Sequence, residues 1–151
     1  MKLAEALVLR GDLAKRLEQI RARLLRNAKV QEGDAPAEDP TLLLAEYDRL
    51  ALELQSLIGR INRTNSTTPF DKETLTDALA ARDILRLRQA ACRDLAEEAT
   101  VVQVIGTRSE VRFRPAVKIT EIQKRADDLA QELRKLDSRI QEMNWQTGLI
   151  D

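Results

Sequence analysis

The sequence predicts an all-α protein: an elongated bundle of about four long amphipathic helices in coiled-coil-like hairpins, with one long loop or short hairpin around residues 100–117. Apolar residues recur every three or four positions through most of the 151 residues, a spacing that places them on one side of a helix. Aromatic residues make up only 3% of the chain, whereas sheets are usually richer in aromatic and β-branched residues. We expect a single helical domain covering residues 1–151, because this length suits one core.

The first predicted helix covers residues 3–32, and Gly33 is expected to cap its C-terminus. Its apolar seam consists of Leu13, Leu17, Ile20 and Leu24. The second helix is expected to start at Asp39 and Pro40, because aspartate is a good N-cap and proline is tolerated in the first turn. It should end before residues 62–69, which are rich in Asn, Ser and Thr and therefore typical of a loop. The seam of this second helix is Leu43, Tyr47, Leu50, Leu54, Leu57 and Ile61.

The third predicted helix begins near Thr74, with Asp77 close to the positive end of its dipole, and runs to about Ala99. Its seam is thinner and richer in alanine: Ala78, Ala81, Leu85, Cys92, Leu95 and Ala99. A capping box of Thr120 and Gln123 predicts the start of the fourth helix. The fourth seam is the most regular: Ile122, Ala126, Leu129, Leu133, Leu136, Ile140 and Met143.

Composition excludes several classes of function. The chain has 25 basic and 25 acidic residues, no histidine and one cysteine, Cys92. Without histidine there is no Ser-His-Asp or Cys-His catalytic set and no Glu-x-x-His di-iron site, so we expect no metal, no cofactor and no catalytic residue. The charged N-terminus and the lack of a long apolar run predict a cytoplasmic protein that does not cross a membrane.

Several motifs resemble one family across nearly the whole chain. They lie at residues 1–7, 27–33, 61–65, 82–83 and 136–145. The sequence is similar to a family of small uncharacterised bacterial helical proteins, some of them labelled septicolysin. The resemblance implies a helical fold and no established activity. The label hints at a cytolysin, but the sequence has no secretion signal, no long amphipathic hairpin and no aromatic-rich tip that would support pore formation.

One set of polar residues is the candidate for a small-ligand site or an interface. Its members are Asn62, Arg63, Thr64, Asn65, Arg82, Asp83, Asp137, Asn144 and Trp145. Asn and Thr after an apolar seam also stabilise helix ends, and Asp beside Arg also forms ordinary ion pairs. Trp145 is either a plug at the end of the bundle or an interface anchor.

Three functions remain open from the sequence. The leading prediction is a non-enzymatic scaffold or interaction protein that forms homo-oligomers through its helix seams. The first alternative is a nucleic-acid-associated protein that uses arginine stripes, although a net charge of zero provides no overall positive field to attract phosphates. The second is a small polar-ligand-binding protein or enzyme with a pocket near Asn62 and Trp145. The arginine stripes of the first alternative consist of Arg10, Arg16, Arg23, Arg26, Arg82, Arg86, Arg88 and Arg93.

Overall fold

A computed structural model of the chain describes residues 1–101 and 112–151. This part contains four helices: α1 (Leu3–Arg26), α2 (Pro40–Thr67), α3 (Leu75–Ala99) and α4 (Ile119–Gln146). It also contains one hairpin of two-residue strands, β1 (Pro69–Phe70) and β2 (Glu73–Thr74). The all-α prediction is confirmed. The long loop or short hairpin predicted around residues 100–117 falls mainly on residues 102–111, which lie outside the described residues.

The chain divides into two compact units. Unit 1 comprises Met1–Pro69 and Glu142–Asp151, and unit 2 comprises Phe70–Gln141. In unit 1, α1 packs against α2, and the predicted seams of both helices supply the core. The buried members of those seams are Leu13, Leu17, Ile20, Leu43, Leu50, Leu57 and Ile61.

Helix α1 ends at Arg26, so the prediction that it continues to residue 32 was wrong. Asn27 caps it: the Asn27 side-chain N–H donates to the Arg23 carbonyl at 2.9 Å, and its side-chain carbonyl accepts from the Glu38 N–H at 3.0 Å. Gly33 is not the cap. It lies in the turn that follows, which is closed by a hydrogen bond from the Asp34 N–H to the Gln31 carbonyl. Its φ of 89° is left-handed, a backbone conformation for which glycine is favoured in such turns.

Helix α2 begins as predicted but extends further. The Asp39 carboxylate accepts a hydrogen bond from the Thr41 N–H at 2.8 Å, and Pro40 occupies the first turn. The loop predicted for residues 62–69 is helical up to Thr67. Its hydroxyl groups explain this: those of Ser66 and Thr67 donate to the Arg63 carbonyl, both at 2.9 Å, so they support the last turn from within rather than breaking it.

The short hairpin joins α2 to α3. Asp71, in its turn, has a φ of 54°, a left-handed conformation that Asp adopts more readily than most residues. Helix α3 then starts with the predicted cap. The Thr74 hydroxyl donates to the Asp77 carboxylate at 2.6 Å, and the Asp77 N–H donates back to that hydroxyl at 3.4 Å.

The packed side of α3 differs from the predicted seam. Leu75, Ala78 and Ala96 are buried, whereas the predicted members Ala81 and Leu95 are exposed. Other residues lie on the same side of the helix, at alternating spacings of three and four from the buried ones. They are half-buried, and some of them are polar. These residues are Arg82, Leu85, Gln89, Cys92 and Ala99. The polar side chains made this side difficult to identify from apolar spacing alone.

Helix α4 starts at Ile119, so Thr120 lies inside the helix, and the predicted cap was two positions too late. The Lys118 carbonyl accepts from the N–H groups of Glu121 and Ile122, both at 3.1 Å, as expected of the residue before the helix. Its predicted seam is otherwise confirmed. Ala126, Leu129 and Ile140 are buried, and the remaining members are half-buried.

Candidate functional site

The predicted polar residues are divided between the two units. Unit 2 holds three of them, Arg82, Asp83 and Asp137. The others belong to unit 1 and are Asn62, Arg63, Thr64, Asn65, Asn144 and Trp145. We therefore describe the two groups separately.

In unit 1, the end of α2 uses its polar groups on its own backbone. Thr64 is buried, and its hydroxyl donates to the Arg60 carbonyl at 2.8 Å. The Thr68 hydroxyl donates to the Thr64 carbonyl at 2.7 Å. Asn62 and Arg63 are exposed and Asn65 is half-buried. The contacts of the threonine hydroxyls agree with the structural interpretation of this segment, in which such groups stabilise a helix end.

The same segment of α2 binds the C-terminal residues, a contact that the sequence analysis missed. The Ile150 N–H donates to the Thr64 hydroxyl at 3.1 Å, and the Arg60 guanidinium donates to the Ile150 carbonyl at 3.1 Å. Arg60 also pairs with the Asp151 carboxylate at 2.9 Å. These bonds connect residues about 90 positions apart, so no local pattern could have signalled them.

The N-terminal residues contact the same C-terminal segment. The Leu3 N–H donates to the Thr147 carbonyl at 2.9 Å, and the Leu149 N–H donates to the Met1 carbonyl at 3.0 Å. Lys2 faces Gly148 in an antiparallel bridge. This pairing gives backbone partners to the Leu3 N–H, at the start of α1, and to the Leu149 N–H, after α4.

Asn144 and Trp145 have opposite environments within unit 1. Asn144 is buried, whereas the side chain of Trp145 is 60% exposed. A plug at the end of a bundle would bury its indole ring, so in this chain Trp145 does not act as one. Of its two predicted roles, the exposure favours that of an interface residue.

In unit 2, Arg82, Asp83 and Asp137 do come together, and Arg86 joins them. The Arg82 guanidinium donates to the Asp83 carboxylate at 3.1 and 3.2 Å and lies 3.7 Å from Oδ1 of Asp137. Arg86 lies 3.7 Å from Asp83 and 3.9 Å from the same Asp137 oxygen. Two cations therefore face two anions, and the cluster joins α3 to α4 as a neutral ion-pair network.

A second contact in unit 2 holds the hairpin against α4. The Arg139 guanidinium lies 4.5 Å from the centre of the buried Phe70 ring and donates to the Asp71 carboxylate at 2.6 Å. The cation therefore interacts with an aromatic face and with an anion at the same time. This contact anchors the turn that precedes α3.

Two shallow openings lie in unit 2. One, of about 330 Å³, is lined by polar residues that include Gln89, Arg93, Glu97 and Asp127. The other, of about 480 Å³, is more apolar and contains Phe113. The described residues do not form a group of three or more acidic or cysteine side chains that could hold a metal ion.

The most distinctive surface is the outward side of α3, which we call the α3 stripe: Ala80, Ile84, Leu87, Ala91 and Leu95. The side chains of Ile84, Leu87 and Leu95 are 54%, 66% and 44% exposed. At 100° per residue, the five positions fall within an arc of about 80°, roughly opposite the packed side of the helix. Among the described residues, the packed side of α3 is covered, whereas the apolar side chains of the α3 stripe are exposed.

Many of the arginines considered for nucleic-acid binding have acidic partners. Arg23 binds both carboxylate oxygens of Glu38, which lowers the pKa of that carboxyl because the bond stabilises its ionised form. Arg16 lies 3.9 Å from Glu46 and Arg93 lies 3.4 Å from Asp94. With the cluster around Arg82 and Arg86, these pairs neutralise much of the proposed stripes.

None of the helices among residues 1–101 and 112–151 combines the length and the apolar character that crossing a bilayer requires.

Comparison with known proteins leaves the activity open. No curated protein matches the chain. A crystal structure of a functionally unknown conserved protein from Corynebacterium diphtheriae is similar, with a TM-score of 0.93, 44% sequence identity and coverage of 99% of both chains. A model for a family of unknown function matches residues 10–149. Neither description uses the name septicolysin. The chain thus belongs to the family of unknown function DUF6847.

Proposed function

We propose that this protein is a non-enzymatic helical scaffold that self-associates through an exposed helix face. The observation that carries the proposal is the α3 stripe, whose apolar side chains repeat at the spacing used by packed helices. Exposed single apolar residues are common on protein surfaces, whereas a contiguous apolar surface marks an interaction site. A cytoplasmic location remains part of the proposal.

Regular spacing separates the α3 stripe from the other exposed apolar residues. Leu42, Leu44 and Leu52 of α2 are also more than half exposed, but at 100° per residue they point in directions spread over about 160°. They do not form a continuous surface that one partner helix could cover. The α3 stripe is the better site because one helix could contact all five of its positions.

Charge pairing favours self-association over binding of nucleic acid. Binding to a phosphate backbone requires free cationic side chains, which displace the counterions condensed on the nucleic acid. Most of the arginines at issue on α3 already face carboxylates within the chain: Arg82 and Arg86 face Asp83 and Asp137, and Arg93 faces Asp94. A net charge of zero also allows copies to approach without strong repulsion.

The polar groups favour a structural role over catalysis. Thr64 uses its hydroxyl on a helix carbonyl and on the C-terminal segment. Arg82, Asp83 and Asp137 use their charges on one another. Thr64 and Arg82 are therefore not available to orient a small substrate without losing the contacts that join these elements.

The experiment is sedimentation equilibrium of the full chain over a range of micromolar concentrations. We expect reversible association of the wild type and at least a tenfold weaker association constant for Leu87→Lys. The matched control is Leu52→Lys, because Leu52 and Leu87 have the same exposed fraction, 66%, and Leu52 lies outside the stripe. A wild type that remains monomeric throughout would overturn the proposal. Binding to a DNA duplex at low salt by such a monomer would support the alternative.

A further inference from the structure

We infer that α3 pairs with α3 of a second copy, side by side and in the same direction, with Asp83 of each copy facing Arg88 of the other. The inference rests on the proposed self-association and deepens it by assigning the partner and the direction. It follows from the order of residues along the α3 stripe and from the charges on its two borders.

The first four residues of the α3 stripe follow the heptad pattern of a coiled coil, and Leu95 lies on its border, at the position called e. Ala80, Ile84, Leu87 and Ala91 are separated by four, three and four residues, which places Ile84 and Ala91 at the position called a, and Ala80 and Leu87 at the position called d. In a parallel coiled coil, isoleucine at a with leucine at d favours two strands over three or four. The two alanines lack bulky side chains, so the backbones can approach closely at either end of the contact.

The charged residues beside the stripe favour the parallel direction. In this heptad, Asp83 is at the position called g and Arg88 is at the position called e, on opposite borders of the stripe. Both are exposed. In a parallel pair, each g residue faces the e residue five positions later in the other helix, so two Asp83–Arg88 pairs form. In an antiparallel pair, position g faces position g and position e faces position e, so Asp83 does not meet Arg88.

Acidic residues limit the length of the contact. Asp77 and Asp94 fall on the seam just before and just after the apolar positions, and Glu98 follows at the next one. In a parallel pair, each of these acids would face the same acid of the second copy, and the two like charges would repel each other. The apolar contact therefore extends from Ala80 to Ala91, about 17 Å of helix, and we expect it to be weak and reversible.

Cysteine cross-linking tests the direction. In a Cys92→Ser background, Ala80→Cys and Ala91→Cys are prepared separately, and each is treated with a short bis-maleimide. In a parallel pair in register, residue 80 lies beside residue 80 of the second copy, and residue 91 lies beside residue 91. Both variants should therefore give cross-linked dimers. In an antiparallel pair, at most one of them can meet itself. Ala14→Cys, an exposed alanine of α1, is the control for random collision.

Charge exchange tests the assigned pairs. Asp83→Arg and Arg88→Asp should each weaken self-association at least tenfold, and a mixture of the two variants should regain it, because both pairs are restored in the mixed dimer. Asp83 also contacts Arg82 and Arg86 within the chain, so thermal melts must show that both variants remain folded.

The two proposals fail in distinguishable ways. A chain that self-associates but does not cross-link at both Ala80 and Ala91 would overturn the parallel pairing and leave the scaffold proposal standing. A chain that is monomeric by sedimentation would overturn both. Two results together would support both proposals: loss of association in Leu87→Lys, and cross-linked dimers from both Ala80→Cys and Ala91→Cys.

Discussion

The hydroxyl of Thr64 accepts a hydrogen bond from the backbone N–H of Ile150 at 3.1 Å, across 86 residues of sequence. The same hydroxyl donates to the Arg60 carbonyl one turn earlier in α2. Arg60 completes the contact by binding the Ile150 carbonyl. One turn of α2 thus binds both backbone polar groups of a residue in the C-terminal segment.

The variant Thr64→Val keeps the shape of this side chain and removes its hydroxyl. We expect a loss of about 1–3 kcal/mol in the free energy of unfolding, because the Ile150 N–H loses its partner. Urea unfolding measures the loss, and hydrogen exchange of the Ile150 amide should become faster.

The control is Thr67→Val, since the Thr67 hydroxyl is exposed and contacts carbonyls of its own helix. Equal losses in the two variants would show that the bond to the C-terminal segment contributes no more than an ordinary bond at a helix end.

Two leucines of α2 separate core packing from surface exposure. Leu50 is 1% exposed and Leu52 is 66% exposed. We expect Leu50→Ala to lower the free energy of unfolding by about 2–5 kcal/mol, and Leu52→Ala to change it by less than about 0.5 kcal/mol. Denaturant unfolding of the two variants side by side measures both. A loss below 1 kcal/mol for Leu50→Ala would contradict the packing of α2.

The start of α3 should make stability depend on pH. Hydrogen bonds from the Thr74 hydroxyl and backbone N–H lower the pKa of Asp77 in the folded chain. A carboxyl with a lowered folded pKa stabilises the fold fully above its unfolded pKa, about 4. That contribution is lost as the pH falls through the lowered value. The wild type should therefore lose more stability than Asp77→Asn between about pH 5 and pH 2.

Substitutions of Thr74 provide the control for that experiment. Thr74→Ser keeps the hydroxyl and should preserve the pH dependence. Thr74→Ala removes the hydroxyl and should lower the free energy of unfolding by about 1 kcal/mol at neutral pH. Thermal melts across the pH range test both. Parallel curves for the wild type and Asp77→Asn would show that the cap does not couple to protonation.

Asn27 should control the order of the linker between α1 and α2. Its side chain bonds the Arg23 carbonyl and the Glu38 N–H, so Asn27→Ala removes a helix cap and an attachment of the linker in one step. We expect faster proteolysis within residues 28–37 and a loss of about 1–3 kcal/mol in the free energy of unfolding. Gln31→Ala, an exposed change within the linker, should cleave at the wild-type rate. Unchanged cleavage of Asn27→Ala would show that other contacts hold the linker.

The sequence predicted those elements whose determinants are local. Asp39 and Thr74 mark helix starts through bonds to residues two and three positions away, and such caps are readable from short motifs. The end of α1 was not readable, because Asn27 caps the helix with the help of Glu38, eleven residues later. The polar end of α2 was misread as a loop since its hydroxyls bond backward into the helix.

Helix α3 shows why the candidate site was harder to predict than the fold. It carries two apolar sides, and spacing alone does not say which one faces the core. The packed side contains Arg82 and Gln89, whereas Ile84 and Leu87 lie outside. A choice made by hydrophobicity therefore misplaced Leu95. The ion-pair cluster around Asp137 was predicted in part, because Arg82 and Asp83 are adjacent, but its link to α4 depends on tertiary packing.

The bridge between Lys2 and Gly148 has a consequence for the folding pathway. Closing a loop costs entropy that rises with the number of residues enclosed, and this bridge encloses nearly the whole chain. We expect it to form last in refolding, after the helices have shortened the distance that the ends must cover. In native-state hydrogen exchange, the amides of Leu3 and Leu149, which bond Thr147 and Met1, should open well before the amide of Leu50 in the middle of α2.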